Sequence, residues 1–158
     1  MGSEILTMIE PAKIEDAQII IDVIKQSIKN CTLDHHDDLL IIADWLSNKT
    51  AENMRHWIKD SYAFIFKDHQ QIVGFILLTN AGTISLNYTL PAFQNKGIGS
   101  QLMRHIIQVA RENNIETLNV ESTLTAKAFY LSHHFECMHE IYENNQLLGY
   151  SMKRKLLT

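Results

Sequence analysis

The stretch Gln94-Asn95-Lys96-Gly97-Ile98-Gly99 carries the strongest chemical signal in the chain. It follows a β-like run that ends at Pro91 and opens an amphipathic segment over residues 100–113, so the pattern predicts a strand, a glycine-rich turn and a helix N-terminus. Such a turn aims several backbone N–H groups and the positive end of a helix dipole at one point, which suits phosphate oxygens. Gly97 and Gly99 lack a β-carbon, so a pyrophosphate can lie directly against the main chain. The turn is thus expected to bind a phosphorylated cofactor, although by itself it reads as readily as an ordinary strand-to-helix connection.

Apolar spacing defines the elements that must hold this turn in place. Residues 5–10 form a short apolar run stopped by Pro11 and predict a first strand. Ile14, Ala17, Ile21, Ile24 and Ile28 then recur at helical spacing over residues 13–29. Leu39, Ile42, Ala43 and Leu46 give a second helical face, and residues 50–59 a third helix capped by Thr50. Trp45 and Trp57 share the spacing of these apolar residues and are expected as core anchors, with a place in the wall of a substrate pocket as the alternative. From Tyr62 the period shortens: residues 62–66 and 72–78 predict a hairpin about a polar turn, and 83–90 a third antiparallel strand. After the glycine turn and its helix, 117–121 reads as a strand, 125–132 as a helix, and 135–142 with 147–153 as a closing hairpin. Cys137 lies in an apolar strand context and is expected in the core.

Composition excludes several classes of partner. With 158 residues, 46% hydrophobic and 20% charged, the chain has the size and make-up of a single globular domain over residues 1–158. A net charge of −4 argues against a nucleic-acid partner, which needs a basic face. Only Lys153-Arg154-Lys155 is densely basic, and a solvated chain end accounts for it. Two cysteines are too few for a disulfide framework, and no apolar run approaches the roughly 18–20 residues of a membrane span. A cytoplasmic protein without a membrane partner is expected. His35 and His36 with their neighbouring acids lack metal-ligand spacing, so no metal site is expected.

The spacing Gln94-x-x-Gly97-x-Gly99, with Ile98 between the glycines, resembles the acyl-CoA signature of the GCN5-related N-acetyltransferase (GNAT) superfamily. A second block, Ala126, Phe129, Tyr130 and then Phe135, resembles that family's Asn-x-x-Ala-x-x-Phe-Tyr-x-x-x-Gly-Phe pattern on the last helix and the strand after it. Thr123 stands where Asn is usual, and His134 where Gly is usual. The motifs cover residues 72–135, and the order of elements extends the resemblance to the N-terminal half. It implies an α/β (α+β) fold: a mixed, mostly antiparallel central sheet of about seven strands, splayed between strands 4 and 5 and flanked by about four helices.

The same resemblance implies acetyl-CoA as co-substrate. Gln94, Asn95, Lys96, Gly97, Ile98, Gly99 and Ser100 would receive its pyrophosphate, Thr89 and Leu90 its pantetheine amides, with Ala126 and Phe129 completing the site. Tyr130 matches the family tyrosine that protonates the departing thiolate. Backbone N–H groups freed by the splay near Asn87, Tyr88 and Thr89 could hold the oxyanion, which makes Tyr88 a candidate catalytic position. An alkylamine with a pKa near 10.4 is mostly protonated at neutral pH, so a base is worth seeking. Glu121, at the end of the fifth strand, is the first candidate, and a solvated strand-end carboxylate is its alternative. Residues 83–90 contain no carboxylate, so a common family location for the base is empty. Asp34 and His35 join the first two helices, where family members recognise the acceptor, and are candidate acceptor-binding residues. A capping role for Asp34 or Asp37 is the alternative.

The function implied is transfer of an acetyl group from acetyl-CoA to a primary amine, on a small molecule or a protein, by direct attack in a ternary complex. The resemblance also admits a homodimer through the last two strands. Two other readings stay open. A non-catalytic acyl-CoA-binding sensor or interaction domain is encouraged by the departures at Thr123 and His134. A dinucleotide-binding module is suggested because Gly97-x-Gly99 begins Gly-x-Gly-x-x-Gly, although Leu102 occupies the third position.

Overall fold

Every residue from Ile72 to Leu78 is buried, so the strand that contains them must be covered on both faces. The computed structural model, which describes residues 7–35 and 38–156, provides that cover. Ile5 and Leu6 of the expected first strand, together with His36 and Asp37, lie outside the described residues. The chain runs β1 (Thr7–Pro11), α1 (Ala17–Lys29), α2 (Thr32–His35), α3 (Leu39–Leu46), α4 (Ala51–Asp60), β2 (Tyr62–Asp68), β3 (Gln71–Leu78) and β4 (Thr83–Thr89). It continues with α5 (Ile98–Glu112), β5 (Thr117–Thr123), α6 (Lys127–Ser132), β6 (Glu136–Glu143) and β7 (Gln146–Lys155). Among the described residues, no helix is long and apolar enough to cross a membrane.

The strands form one sheet in the order β1-β2-β3-β4-β5-β7-β6. All pairings are antiparallel except that of β4 with β5. β4 and β5 pair only at Thr83↔Asn119 and Ile84↔Val120, after which they diverge and leave a wedge between Leu86–Thr89 and Glu121–Thr123. A register shift against β3, from Leu77↔Leu86 to Leu78↔Ile84, leaves Ser85 as an extra residue in β4. Such a bulge bends its strand and helps it leave its neighbour. The mixed sheet splayed between β4 and β5 is therefore the one expected.

Helices cover the sheet because their apolar residues recur on one stripe. α1 buries Ala17, Ile20, Ile21, Val23, Ile24 and Ile28, and α5 buries Ile98, Leu102, Met103, Ile106, Ile107, Val109 and Ala110. α5 can approach β3 closely because Gly74 faces it. A β-carbon there would stand 3.1 Å from both Ile98 Cγ2 and Leu102 Cδ1. Leu102, at the place of a third dinucleotide glycine, is fully buried in this contact. Trp45 and Trp57 are half-buried and pack against the core, as expected.

Several element ends differ from the sequence reading for identifiable reasons. The helix expected over residues 13–29 is divided, because Asp16 accepts from Lys13 N at 3.0 Å and holds a separate 3-10 turn, Ile14–Asp16. Asp38 caps α3, accepting from Leu40 N and Ile41 N, whereas Asp34 is bonded to Thr125. The four-residue α2 was not expected. Thr50 caps α4 as expected, accepting from Asn53 N at 3.1 Å. Cys137 is exposed rather than in the core, since β6 is the outermost strand of the sheet.

Candidate active site

The glycine turn stands at the carboxyl end of β4, where α5 begins the parallel β4–α5–β5 crossover, a usual place for ligands in such units. Asn95 and Gly97 both have positive φ, 62° and 84°, and Gly97 is the N-cap of α5. Alternating left-handed residues curl the backbone into a concavity lined by N–H groups, which suits an anion. Nothing lies within 4 Å of where a Gly97 β-carbon would be, so this face of the turn is open. The helix starts at Ile98 rather than at Ser100, because Gly97 in the left-handed region can serve as its cap.

A cleft of about 410 Å³ opens from this turn along β4 to α6. Thr89, Gln94, Asn95, Gly97, Ile98, Gly99, Ser100, Ala126, Phe129 and Tyr130 line it, so two separate sequence motifs meet in one site. Asn87 and Phe93 line it as well. Neither side chain belongs to a motif, and only the strand-to-turn geometry brings them in. Leu90 and Lys96 do not line the cleft. Leu90 is buried, its N–H donates to Val73 O at 2.8 Å, and its carbonyl accepts from Phe93 N, so its only donor is already engaged. Lys96 instead lies over the Phe93 ring, 5.6 Å from its centroid.

The bond from Leu90 N to Val73 O also fixes which β4 groups face the wedge. Bonded and non-bonded pairs alternate along an antiparallel ladder. With Leu90 and Val73 bonded, the register makes Tyr88 and Phe75 a bonded pair, while Asn87 and Thr89 turn their N–H and C=O groups away from β3. The Thr89 carbonyl agrees, because it accepts from Ser27 Oγ at 3.0 Å and Gln94 Nε2 at 3.1 Å. The Tyr88 N–H is therefore engaged in the sheet, and those of Asn87 and Thr89 are the groups offered to the wedge. This corrects the sequence expectation at Tyr88.

Tyr130 stands where the clefts meet. It is 5% exposed, packs edge-on against Phe129 and Phe135, and its phenol oxygen accepts from Asn87 Nδ2 at 3.1 Å. Burial pushes its pKa above the usual phenol value, partly opposed by the Asn87 hydrogen bond. Because Asn87 donates, the phenolic proton is left free to be given elsewhere.

On the other side of β4, the Tyr88 side chain looks into a second pocket of about 370 Å³. Its walls come from α1, α3, β5 and the β6–β7 hairpin, including Trp45, Ile28, Ile141 and Leu148. Three carboxylates, Asp44, Glu121 and Glu143, line it against one ammonium, Lys49, so the pocket favours a cation. Burial lowers the Lys49 pKa, and Asp44 opposes this. A cavity of about 230 Å³ within the wedge adjoins both clefts: it shares Asn87, Thr89 and Tyr130 with the first, and Tyr88, Glu121 and Cys31 with the second. Burial first, and then Asp34, raises the Cys31 thiol to about 11, so it stays protonated near neutral pH. Burial likewise drives the Tyr88 phenol well above its usual range, reinforced by Cys31 and Tyr130.

Asp34 and His35 are buried, 1% and 0% exposed. Asp34 accepts from Thr125 N at 2.9 Å and from Thr125 Oγ1 at 2.6 Å, and His35 Nε2 lies 2.8 Å from Ile28 O. They fix the wall of the wedge, while the acids that face the second pocket are Asp44, Glu121 and Glu143. Sequence reasoning named only Glu121 among these, because Asp44 and Glu143 carry no motif. Asp34→Ala is expected to cost about 2 to 3 kcal/mol of stability, since two hydrogen bonds to a charged group are lost and Thr125 N–H is left unpaired. Urea denaturation checks this; an unchanged midpoint would mean that the tether contributes nothing.

Comparison with known proteins agrees with this geometry. The family model described as an acetyltransferase (GNAT) domain matches residues 23–156. No curated protein matches the chain. Among solved structures, a GCN5-related N-acetyltransferase from Rhodopseudomonas palustris superposes with a TM-score of 0.83 at 18% identity, over 94% of this chain and 95% of that one. The PaiA N-acetyltransferase from Thermoplasma acidophilum, solved with coenzyme A, gives 0.80 at 18% identity, over 94% and 98%. YncA from Salmonella typhimurium, a putative acetyltransferase solved with acetyl-CoA, gives 0.73 at 16%, over 96% and 95%. At such identities the structures establish the fold, and the family match extends over most of the length. The chain belongs to the GNAT acetyltransferase family.

Proposed function

We propose that the protein is an N-acetyltransferase that moves an acetyl group from acetyl-CoA to the primary amine of a cationic acceptor. The observation that carries this reading is the wedge between β4 and β5, which adjoins a phosphate-suited cleft on one face of the sheet and an acid-lined pocket on the other. The pyrophosphate lies against the N–H groups of Gly97 to Ser100, and pantetheine runs along β4 beneath Phe93 and Phe129. The thioester carbonyl then reaches the Asn87 and Thr89 N–H groups. Donors fixed before reaction suit the developing oxyanion, because they need no reorganisation.

The amine arrives from the acid-lined pocket. Asp44 and Glu143 hold its positive charge, and Glu121 takes its proton, directly or through water. Attack forms the C–N bond, collapse breaks the C–S bond as Tyr130 gives its proton to the leaving thiolate, and the remaining extra proton on the acylated nitrogen passes to the tyrosinate, directly or through water. Direct attack is supported by the state of Cys31, the cysteine that lines the wedge. A thiol with a pKa of about 11 is a poor nucleophile near neutral pH, and its Sγ already donates to Ser27 O at 3.1 Å. Initial-velocity measurements with acetyl-CoA and linear primary amines test the proposal. Intersecting double-reciprocal lines are expected, as for a ternary complex. Parallel lines would indicate an acyl-enzyme, and absence of turnover over a broad amine panel would favour the acyl-CoA sensor instead.

A further inference from the structure

The acid-lined pocket continues outward, away from the wedge. A further cavity of about 200 Å³ extends it between α3 and the β6–β7 hairpin, and the two share Asp44, Trp45, Glu143 and Leu148. At its other end the pocket shares Tyr88 and Glu121 with the wedge, so one groove leads away from the proposed reaction site. Carboxylates recur along it in order: Glu121 at the wedge, Asp44 and Glu143 where the cavities join, and Asp38 in the outer one. Apolar walls stand between them, from Ile28, Trp45 and Ile141 in the inner part and from Ile41 and the 83% exposed Leu40 in the outer. Among the described residues, the ion pairs are Lys67–Glu10 and His69–Asp68, so none of the four acids is neutralised by one. Lys49 offsets part of the charge at Asp44 and leaves Glu143 and Asp38 as the stronger outer acids. The Tyr88 hydroxyl, buried where it looks into the inner part, has no hydrogen-bond partner among the described residues, so its oxygen is an unused acceptor.

Acids that alternate with apolar walls match a chain in which ammonium groups alternate with methylenes. A free amino acid would instead bring its own carboxylate against these acids. A peptide would need backbone partners, yet β7 is already paired along both edges, with β5 and with β6. A sugar-based amine would lay hydroxyls against the apolar walls without partners for them. We infer that the groove is built for a linear aliphatic polyamine, whose terminal amine reacts beside Glu121 while its later ammonium groups lie at Glu143 and then at Asp38. Tyr88 accepts a hydrogen bond from the reacting end. The inference rests on the N-acetyltransferase reading above and narrows its acceptor.

Thiol release at saturating acetyl-CoA, measured with butylamine, putrescine and spermidine, tests it, because these carry one, two and three ammonium groups on similar aliphatic chains. For the unaltered protein kcat/KM is expected to rise at least about tenfold with each added ammonium, the value of one good charge-assisted contact. That advantage should shrink as salt is raised, since the outer acids are open to solvent. Asp38→Asn keeps the α3 cap, because asparagine caps as well as aspartate, and should bring spermidine down to the level of putrescine. Glu143→Gln should lower both polyamines more than butylamine. Glu15→Gln, which removes an exposed acid far from the groove in sequence, should alter none of the ratios. Equal turnover of the three amines, or a preference for kanamycin or a free peptide N-terminus over spermidine, would overturn the inference and leave acetyl transfer standing. So would a spermidine preference that survives Asp38→Asn and Glu143→Gln together. Binding of acetyl-CoA with no turnover of any of these acceptors would remove the transferase reading itself, and the polyamine groove with it.

Discussion

Tyr130→Phe is expected to lower kcat by about two orders of magnitude, with acetyl-CoA affinity held within about threefold. The ring would keep its edge contacts with Phe129 and Phe135, so the hydrophobic wall of the cleft survives. What disappears is the phenolic proton beside the wedge. A departing thiolate with a pKa near 8.5 takes a proton from an ordinary phenol near 10 at an uphill cost of about 2 kcal/mol, and from the buried Tyr130 at a greater one, which is still small against a barrier of tens of kcal/mol. Burial raises the Tyr130 pKa further, which lengthens the pH range over which the proton is present. Its loss on the alkaline side is therefore displaced to higher pH than for an ordinary phenol. Below that, kcat/KM should rise with pH as the acceptor amine loses its proton, in the unaltered protein and in the variant alike. An unchanged kcat in Tyr130→Phe would take Tyr130 out of the reaction.

Gly99→Trp is expected to weaken acetyl-CoA binding by at least about a hundredfold, or about 2.7 kcal/mol, without unfolding the protein. A β-carbon at Gly99 would lie 3.4 Å from Phe129 Cε1 and 3.6 Å from Cζ, ordinary contact distances, so alanine fits and serves as the control. An indole continues past that contact into the cleft between α5 and α6, where the pyrophosphate and upper pantetheine are proposed to lie. Because Gly99 lines an open cleft rather than the core, the thermal midpoint should move by only a few degrees. Retained affinity in a folded Gly99→Trp protein would mean that the cofactor does not use this cleft.

The parts of this site that were legible in the sequence are those determined locally. A turn with two glycines ahead of an amphipathic helix specifies its own geometry, and Ala126, Phe129 and Tyr130 share a helix whose spacing is visible in one dimension. The parts that were not legible depend on how distant segments meet. Asp44 on α3 and Glu143 on the β6–β7 hairpin become neighbours only because β7 inserts between β5 and β6. Whether Tyr88 or its neighbours offer an N–H to the wedge depends on the phase of the β3–β4 ladder, which no residue type encodes. Asp34 reads from the sequence as an acceptor-binding residue or a helix cap, yet it is buried and bonded to Thr125, 91 positions away. His134 shows a departure whose consequence the sequence did not display: it holds φ 67°, the conformation for which glycine is usual.

Titration of the purified protein with acetyl-CoA in a calorimeter, with NAD as the comparison ligand, tests the central claim most directly. The account predicts saturable, one-to-one binding of acetyl-CoA in the micromolar range and none of NAD. Absence of heat with acetyl-CoA, or tighter binding of NAD, would contradict the placement of coenzyme A on the glycine turn and the transfer reaction that depends on it.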